Sequence, residues 1–186
     1  MTESERSGDQ GKKEDERVYD WWVETRKDRA AMARLRRCRR PLDALMSPAA
    51  LSLLARFSNR HRGRRAESVA ALAAVLGHVR ESDAALTIAR TIGRDSFNDE
   101  DSAALSEGRF RRLMQADDPE ELQRAMTRLV RFMGQRVNVS DLAESMLWWN
   151  DRTKRRWIFD YYAVAMAAPE APPQADDAEA SDSVPA

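Results

Sequence analysis

Residues 116–133 read ADDPEELQRAMTRLVRFM, and their spacing predicts a helix with two unlike faces. Asp118 stands as a cap, Pro119 as a first-turn proline and Glu121 as a capping-box acid. Leu122, Met126, Leu129, Val130 and Met133 then recur every three or four residues, a single apolar stripe facing a core. Arg124, Arg128 and Arg131 fall at i, i+4 and i+7, which stacks three guanidinium groups on the opposite face.

The same helical period runs outward in both directions. Toward the C-terminus, Ser140–Asp141 opens a helix around Leu142, Met146 and Leu147, and Asp151 caps another with Trp157, Ile158, Tyr161 and Ala165 inward. Toward the N-terminus lies a short helix with Phe110, Leu113 and Met114 inward, preceded by an acidic loop, GRDSFNDEDSAALS, at residues 93–106. A short helix fits residues 84–92. Val69, Leu72, Ala73, Leu76 and Val79 define a further one, and Ser47–Pro48 opens a helix with Leu51, Leu54 and Phe57 inward. Val18, Trp21, Trp22, Thr25, Arg29 and Met32 predict one long first helix over Glu14–Arg37, with Pro41 just beyond its end. Alternating β-branched stretches and hairpin signals are missing. The fold class expected is all-α: about eight helices packed as two small bundles, residues 14–92 and 107–168, joined by the acidic loop at 93–106. The ends, 1–13 and 169–186, are too polar to offset their ordering entropy and are expected to be disordered.

The 186 residues carry 31 basic and 31 acidic side chains, a formal net charge of zero. That balance hides a segregation. Residues 1–16 are net −3, residues 169–186 carry five acids and no base, and the body between them is net +8. A basic body with acidic ends points toward nucleic acid, a membrane surface or an acidic partner. A body of this size buries a real core without staples. The lone cysteine, Cys38, excludes an internal disulfide framework. The N-terminus is too polar for a signal peptide, and the longest apolar run, Val69–Gly77, is far shorter than the roughly 20 residues of a membrane span. A soluble, cytoplasmic protein with no membrane partner is expected.

The positive charge is almost all arginine, 27 residues against four lysines, and arginine forks donate bidentately to phosphate. Residues 34–65 hold ten arginines and one acid, Asp43. Self-repulsion at this density destabilises a fold unless something outside neutralises it. Arg36, Arg37 and Arg40 flank the end of the first helix. Arg62, Arg64 and Arg65 flank the entry to the third. Arg109 and Arg112 occupy the polar side of the short helix before Asp118, and Arg152 and Arg156, at i and i+4, the polar face of the last helix. Together with Arg124, Arg128 and Arg131 these are the candidate nucleic-acid-binding residues. For any one of them, a solvated face with a local ion pair is the competing explanation. For the set, too few acids lie between residues 34 and 65.

Other features carry no chemistry of their own. His61 and His78 are far apart and without cysteine partners, so no metal site is expected. Cys38 stands among arginines, which act to lower a thiol pKa, but no histidine is near in sequence. Phosphate-cradling glycine loops, nucleophile elbows and zinc-protease motifs are absent. No catalytic residue, no cofactor and no small-molecule substrate is expected. In the pairs Trp21–Trp22 and Trp148–Trp149, one member of each is expected in the core, which leaves the other as a stacking platform for an unpaired base or an anchor for a protein contact.

From Arg109 to Tyr162 the chain reads RFRRLMQADDPEELQRAMTRLVRFM, a short linker, then DLAESMLWWNDRTKRRWIFDYY. This resembles the CasB family, the small subunit of the type I-E CRISPR Cascade surveillance complex. The family has a short basic helix ending in an L(I/M)xAD-like turn, an LxRLLR-like helix, an LxxWW segment and a basic final helix. RLRRCRRP at 34–41 resembles its N-terminal arginine motif. The resemblance implies an all-α, non-catalytic protein whose copies associate head to tail beside the large subunit and the crRNA-bearing backbone subunits. It implies binding to nucleic acid, the target DNA strands and also crRNA, without sequence preference, and support of the R-loop. The family's arginines fall on Arg37, Arg109, Arg128 and Arg152, while Asp151 stands where some relatives carry a basic residue. In RNA-guided recognition base pairing supplies the sequence specificity, so such a subunit needs only charge and shape. The alternative is a helix-turn-helix DNA-binding transcriptional regulator, which needs polar base readers at the start of a recognition helix. A nucleic-acid hydrolase would need clustered carboxylates or an acid–base pair, which the sequence lacks.

Overall fold

Asp118 caps its helix as its sequence predicts. Its carboxylate accepts hydrogen bonds from the N–H groups of Glu120 and Glu121, both at 2.8 Å. Glu121 reaches back one residue further than a capping box requires, to the N–H of Asp117 at 3.3 Å. The computed structural model describes residues 13–57, 59–96 and 98–163, the side chains of 59–64 and 100 excepted. The expectations for the two tails and for Ala165, and the side chains of His61, Arg62 and Arg64, lie outside the described residues. In chain order the helices are α1 (Glu14–Thr25), α2 (Arg29–Arg37), α3 (Pro41–Leu45), α4 (Pro48–Ala55), α5 (Asn59–Leu76), α6 (Ile88–Ile92), α7 (Glu107–Met114), α8 (Pro119–Phe132), α9 (Val139–Leu147) and α10 (Asp151–Tyr161). The fold is all-α. No helix among the described residues is long and apolar enough to cross a membrane.

Several boundaries differ from those expected. The long first helix breaks at Asp28, which leaves helical geometry and accepts from the N–H groups of Ala30 and Ala31 at 2.9 Å, starting α2. Thr25 and Arg29, counted in the period of that single helix, therefore flank the break, Thr25 half-buried and Arg29 exposed. Pro41 does not merely follow a helix but begins α3 at its first position, where its missing N–H costs nothing. Leu53 rather than Leu51 is the buried leucine of α4, Leu51 being 48% exposed. Two asparagines cap where Ser140–Asp141 and Asp151 were expected to. Asn138 accepts from the N–H of Asp141, and Asn150 accepts from those of Arg152 and Thr153. Ile158, expected inward, lies at the surface. A two-residue parallel bridge also forms, with Glu81 opposite Arg136 and Ser82 opposite Val137, a non-local pairing with no local signature. It follows two consecutive left-handed residues, Gly134 and Gln135, that turn the chain out of α8.

The core is organised by α5. Every residue from Val69 to Leu76 is at most 1% exposed. A helix apolar on all sides must be surrounded, and α2, α3, α4, α8 and α9 all pack on it. Four of those eight positions are alanine, small enough for neighbouring helix backbones to come close. Buried residues from Val18 to Tyr161 form one cluster, so the two expected bundles share a core across the 93–106 loop. α9 also packs on α1, and α10 on α6.

Polar links lock this second contact. The buried Asp141 of α9 accepts from the Ile88 N–H at 2.7 Å and from Arg156 Nη1 at 2.7 Å. Ser145 Oγ accepts from Arg156 Nη2 and Trp157 Nε1, each at 2.9 Å. The Arg94 N–H donates to the Tyr161 carbonyl at 2.7 Å, and the Tyr161 hydroxyl donates to the Leu105 carbonyl. Gly93 makes this approach possible, because a Cβ there would lie inside the Tyr161 backbone. Gly93→Ala is expected to cost about 1–3 kcal/mol by overpacking, read as a lowered urea midpoint with helical circular dichroism retained.

Candidate nucleic-acid interface

The end of α2 and the outer face of α8 form the two walls of one open groove of about 790 Å³. Arg36, Arg37, Arg39 and Arg40 line one wall, and Arg124, Arg128 and Arg131 the other. These two runs are more than 80 residues apart in the chain. A buried side chain joins them: Gln123, 2% exposed, donates from Nε2 to the Cys38 carbonyl at 3.0 Å. The apolar stripe of α8, with Leu122, Met126, Leu129 and Val130 buried, points its three arginines outward. At the end of α2, three basic residues occupy the last turn, where the helix dipole favours cations.

Seven guanidinium groups thus face one groove that Glu120 alone among its lining residues balances with a carboxylate. Glu120 pairs with Arg124 at 3.0 Å, and Asp43 pairs with Arg40 at 3.2 Å. Both pairs are exposed and contribute little. Arg36, Arg37, Arg39, Arg128 and Arg131 have no carboxylate within 4.0 Å among the described residues. The field reaches His78, 6% exposed in the same groove, whose pKa is lowered to about 4 by burial first and then by Arg131 and Arg36. Cys38 moves opposite to the expectation from its neighbours. Burial raises its pKa, with Asp43 adding to the effect.

Arg128 also lines a second depression with Arg109 and Arg112 over Leu105, Leu113, Ala125 and Leu129. The cationic surface therefore continues across α8 to α7. Arg152 and Arg156 are not part of it. They line a separate groove along α10 with Trp148, Asn150, Arg155 and Phe159. Two expected phosphate ligands are held by carboxylates of this chain. Arg65, 9% exposed, donates to both oxygens of Glu14 at 2.9 Å. Arg156 is held by Asp141 and Ser145. Arg39 and Arg155 were missed, although the RRCRRP run and the i, i+3 spacing from Arg152 announce them; Gln123 had no signal, since its role exists only once α2 and α8 meet. Both Trp21 and Trp22 are buried, not one of the two, whereas Trp149 is half-buried and Trp148 is 45% exposed. Among the described residues no three His, Cys, Asp or Glu side chains converge so as to hold a metal ion.

A family model described as CRISPR-associated protein Cse2 matches residues 31–162, a span that includes both grooves. No curated protein and no solved structure matches the chain.

His78 makes the groove pH-sensitive. An imidazole whose pKa is near 6.5 unfolded and about 4 folded stabilises the fold fully above pH 6.5 and loses that contribution progressively down to pH 4, on the order of 2–3 kcal/mol. Urea titrations at pH 7 and pH 4.5 are expected to show a larger drop in stability for the native protein than for His78→Gln.

Proposed function

Because the chain belongs to the CRISPR-associated Cse2 (CasB) family, the small subunit of the type I-E Cascade complex, we propose that its α2–α8 groove holds the nucleic-acid backbone during target recognition. It binds without sequence preference, acts without catalysis and stabilises the R-loop. The observation that carries this reading is the convergence on one groove of Arg36, Arg37, Arg39, Arg128 and Arg131, none with a carboxylate within 4.0 Å among the described residues. Unpaired guanidinium groups held side by side repel one another, and a phosphate chain relieves that repulsion while donating no sequence information. Strand exchange in RNA-guided recognition is nearly balanced, so modest backbone contacts tip it.

The helix-turn-helix alternative would use α5, the helix entered by Arg64 and Arg65. From Val69 onward that helix is enclosed by its neighbours, which leaves it no continuous exposed face to lay along a major groove and disfavours this reading. Association with the large subunit, the backbone subunits and a second copy of itself belongs to the same proposal. Exposed Leu42, Met46 and Leu51 on the adjoining α3 and α4 supply apolar surface of the kind subunit contacts bury.

The test is salt dependence. If all five unpaired arginines meet phosphates, log affinity for single strands falls against log salt with a slope of about −3.5. Arg37→Glu combined with Arg128→Glu is expected to flatten that slope by about 1.4 and to impair R-loop formation by the assembled complex, with helicity unchanged. A salt-independent affinity, or normal R-loop formation by the double variant, would overturn the proposal.

A further inference from the structure

The groove along α10 has what the α2–α8 groove lacks, an exposed indole. Trp148 is the one tryptophan of five left at the surface, with Trp21, Trp22 and Trp157 buried and Trp149 half-buried. It is nonetheless held rigidly. Its backbone N–H donates to the Glu144 carbonyl at 3.1 Å, and its backbone carbonyl accepts from the Thr153 hydroxyl. The Arg65 guanidinium sits 3.3 Å from the ring centroid and is itself fixed by two bonds to Glu14. A nearly buried ion pair thus braces one face of the indole. Trp148 lines the groove and Arg65 is not among its lining residues; with Trp148 45% exposed, indole surface beyond the guanidinium contact is open.

The other groups around the exposed indole select its occupant. Arg152 and Arg155, at i and i+3 on α10, line the groove and have no carboxylate within 4.0 Å among the described residues. Asn150 and Phe159 complete the walls, and Glu144 is drawn toward Arg156 at 4.0 Å. The ring's negative quadrupole is already engaged by Arg65, which disfavours a second cation such as a partner's lysine or arginine. A neutral, flat ring with negative charge on either side suits the place, and an unpaired nucleotide has that form. Bases inside a duplex are already stacked and cannot reach it.

We propose that Trp148 is a stacking platform for an unpaired nucleobase, with Arg152 and Arg155 holding the flanking phosphates. This site is selective for single strands and separate from the α2–α8 groove. It rests on the nucleic-acid reading of this protein and narrows it from a backbone of either form to an unpaired strand.

The experiment uses the full chain with three probes of equal length: an oligothymidylate, a base-free deoxyribose-phosphate strand and a DNA duplex. Oligothymidylate is expected to quench tryptophan fluorescence. Trp148→Ala is expected to weaken oligothymidylate binding roughly tenfold while changing duplex affinity less than about twofold. The base-free strand should bind the native protein no better than oligothymidylate binds Trp148→Ala. Because Trp148→Ala also uncovers Arg65, Trp148→Tyr is the control: it keeps a ring over Arg65 and should restore most of the affinity. Equal binding of oligothymidylate by the native protein and Trp148→Ala overturns the proposal. So does equal native affinity for the base-bearing and base-free strands. Trp148→Ala that loses assembly with the other Cascade subunits but keeps oligothymidylate would instead mark a protein contact, and also overturns it. Arg37→Glu with Arg128→Glu separates the two readings. Normal duplex binding by that variant, beside loss of the strand in Trp148→Ala, would sink the α2–α8 groove and leave the stacking site standing.

Discussion

Enclosure of the Val69–Leu76 stretch on every side is the constraint from which the remaining architecture follows. A helix with no polar face has no stable position at a surface, and here five other helices supply its cover. Fully burying a leucine or valine contributes about 1.5–3 kcal/mol, so α5 rewards any arrangement that surrounds it. Helices from both ends of the sequence do so. Its alanines set how closely they approach, and that closeness brings α2 and α8 near enough for the Gln123–Cys38 hydrogen bond.

The charge distribution is a consequence of that packing. Once the apolar stripe of α8 faces α5, Arg124, Arg128 and Arg131 have only the outside to occupy, and the end of α2 lies beside them. Electrostatics alone would push the two arginine runs apart. Hydrophobic burial beneath them is larger and holds them together, which leaves a cationic groove whose repulsion an external polyanion can relieve. Burial lowers the His78 pKa, and Arg131 and Arg36 of the groove lower it further. The same fold ties Arg65 to Glu14 and Arg156 to Asp141, while Arg152 and Arg155 have no carboxylate within 4.0 Å among the described residues.

Much of this was legible in the residues. Strong periodicity located the cores of α5, α7, α8 and α9, and Asp118–Pro119 located a helix start to the residue. The errors fell where two local signals compete. Asp28 sits inside a continuing apolar period, and its side chain captures two N–H groups and ends the run. Asn138 lies two residues before Ser140–Asp141, and Asn150 directly before Asp151, all good caps, and the local backbone decides between them. Leu51 and Ile158 match the helical period but face outward, because the helices carrying them are rotated by contacts with α5 and α6 that no local pattern records. On the candidate site, counting arginines found both walls of the main groove but also nominated Arg65 and Arg156, since charge density does not tell a guanidinium that reaches solvent from one that reaches a buried carboxylate.

The sequence by itself determined the helical class, the basic body with acidic ends and the likeness to the Cse2 family, because these depend on composition and on spacing within a few turns. Only the tertiary structure decided which arginines share a groove, which are spent on Glu14 and Asp141, and which tryptophan remains at the surface. Those outcomes depend on contacts between residues 15 to 85 positions apart, such as Arg156 with Asp141, Arg65 with Glu14 and Gln123 with Cys38, and such contacts are chosen by how the buried faces fit together.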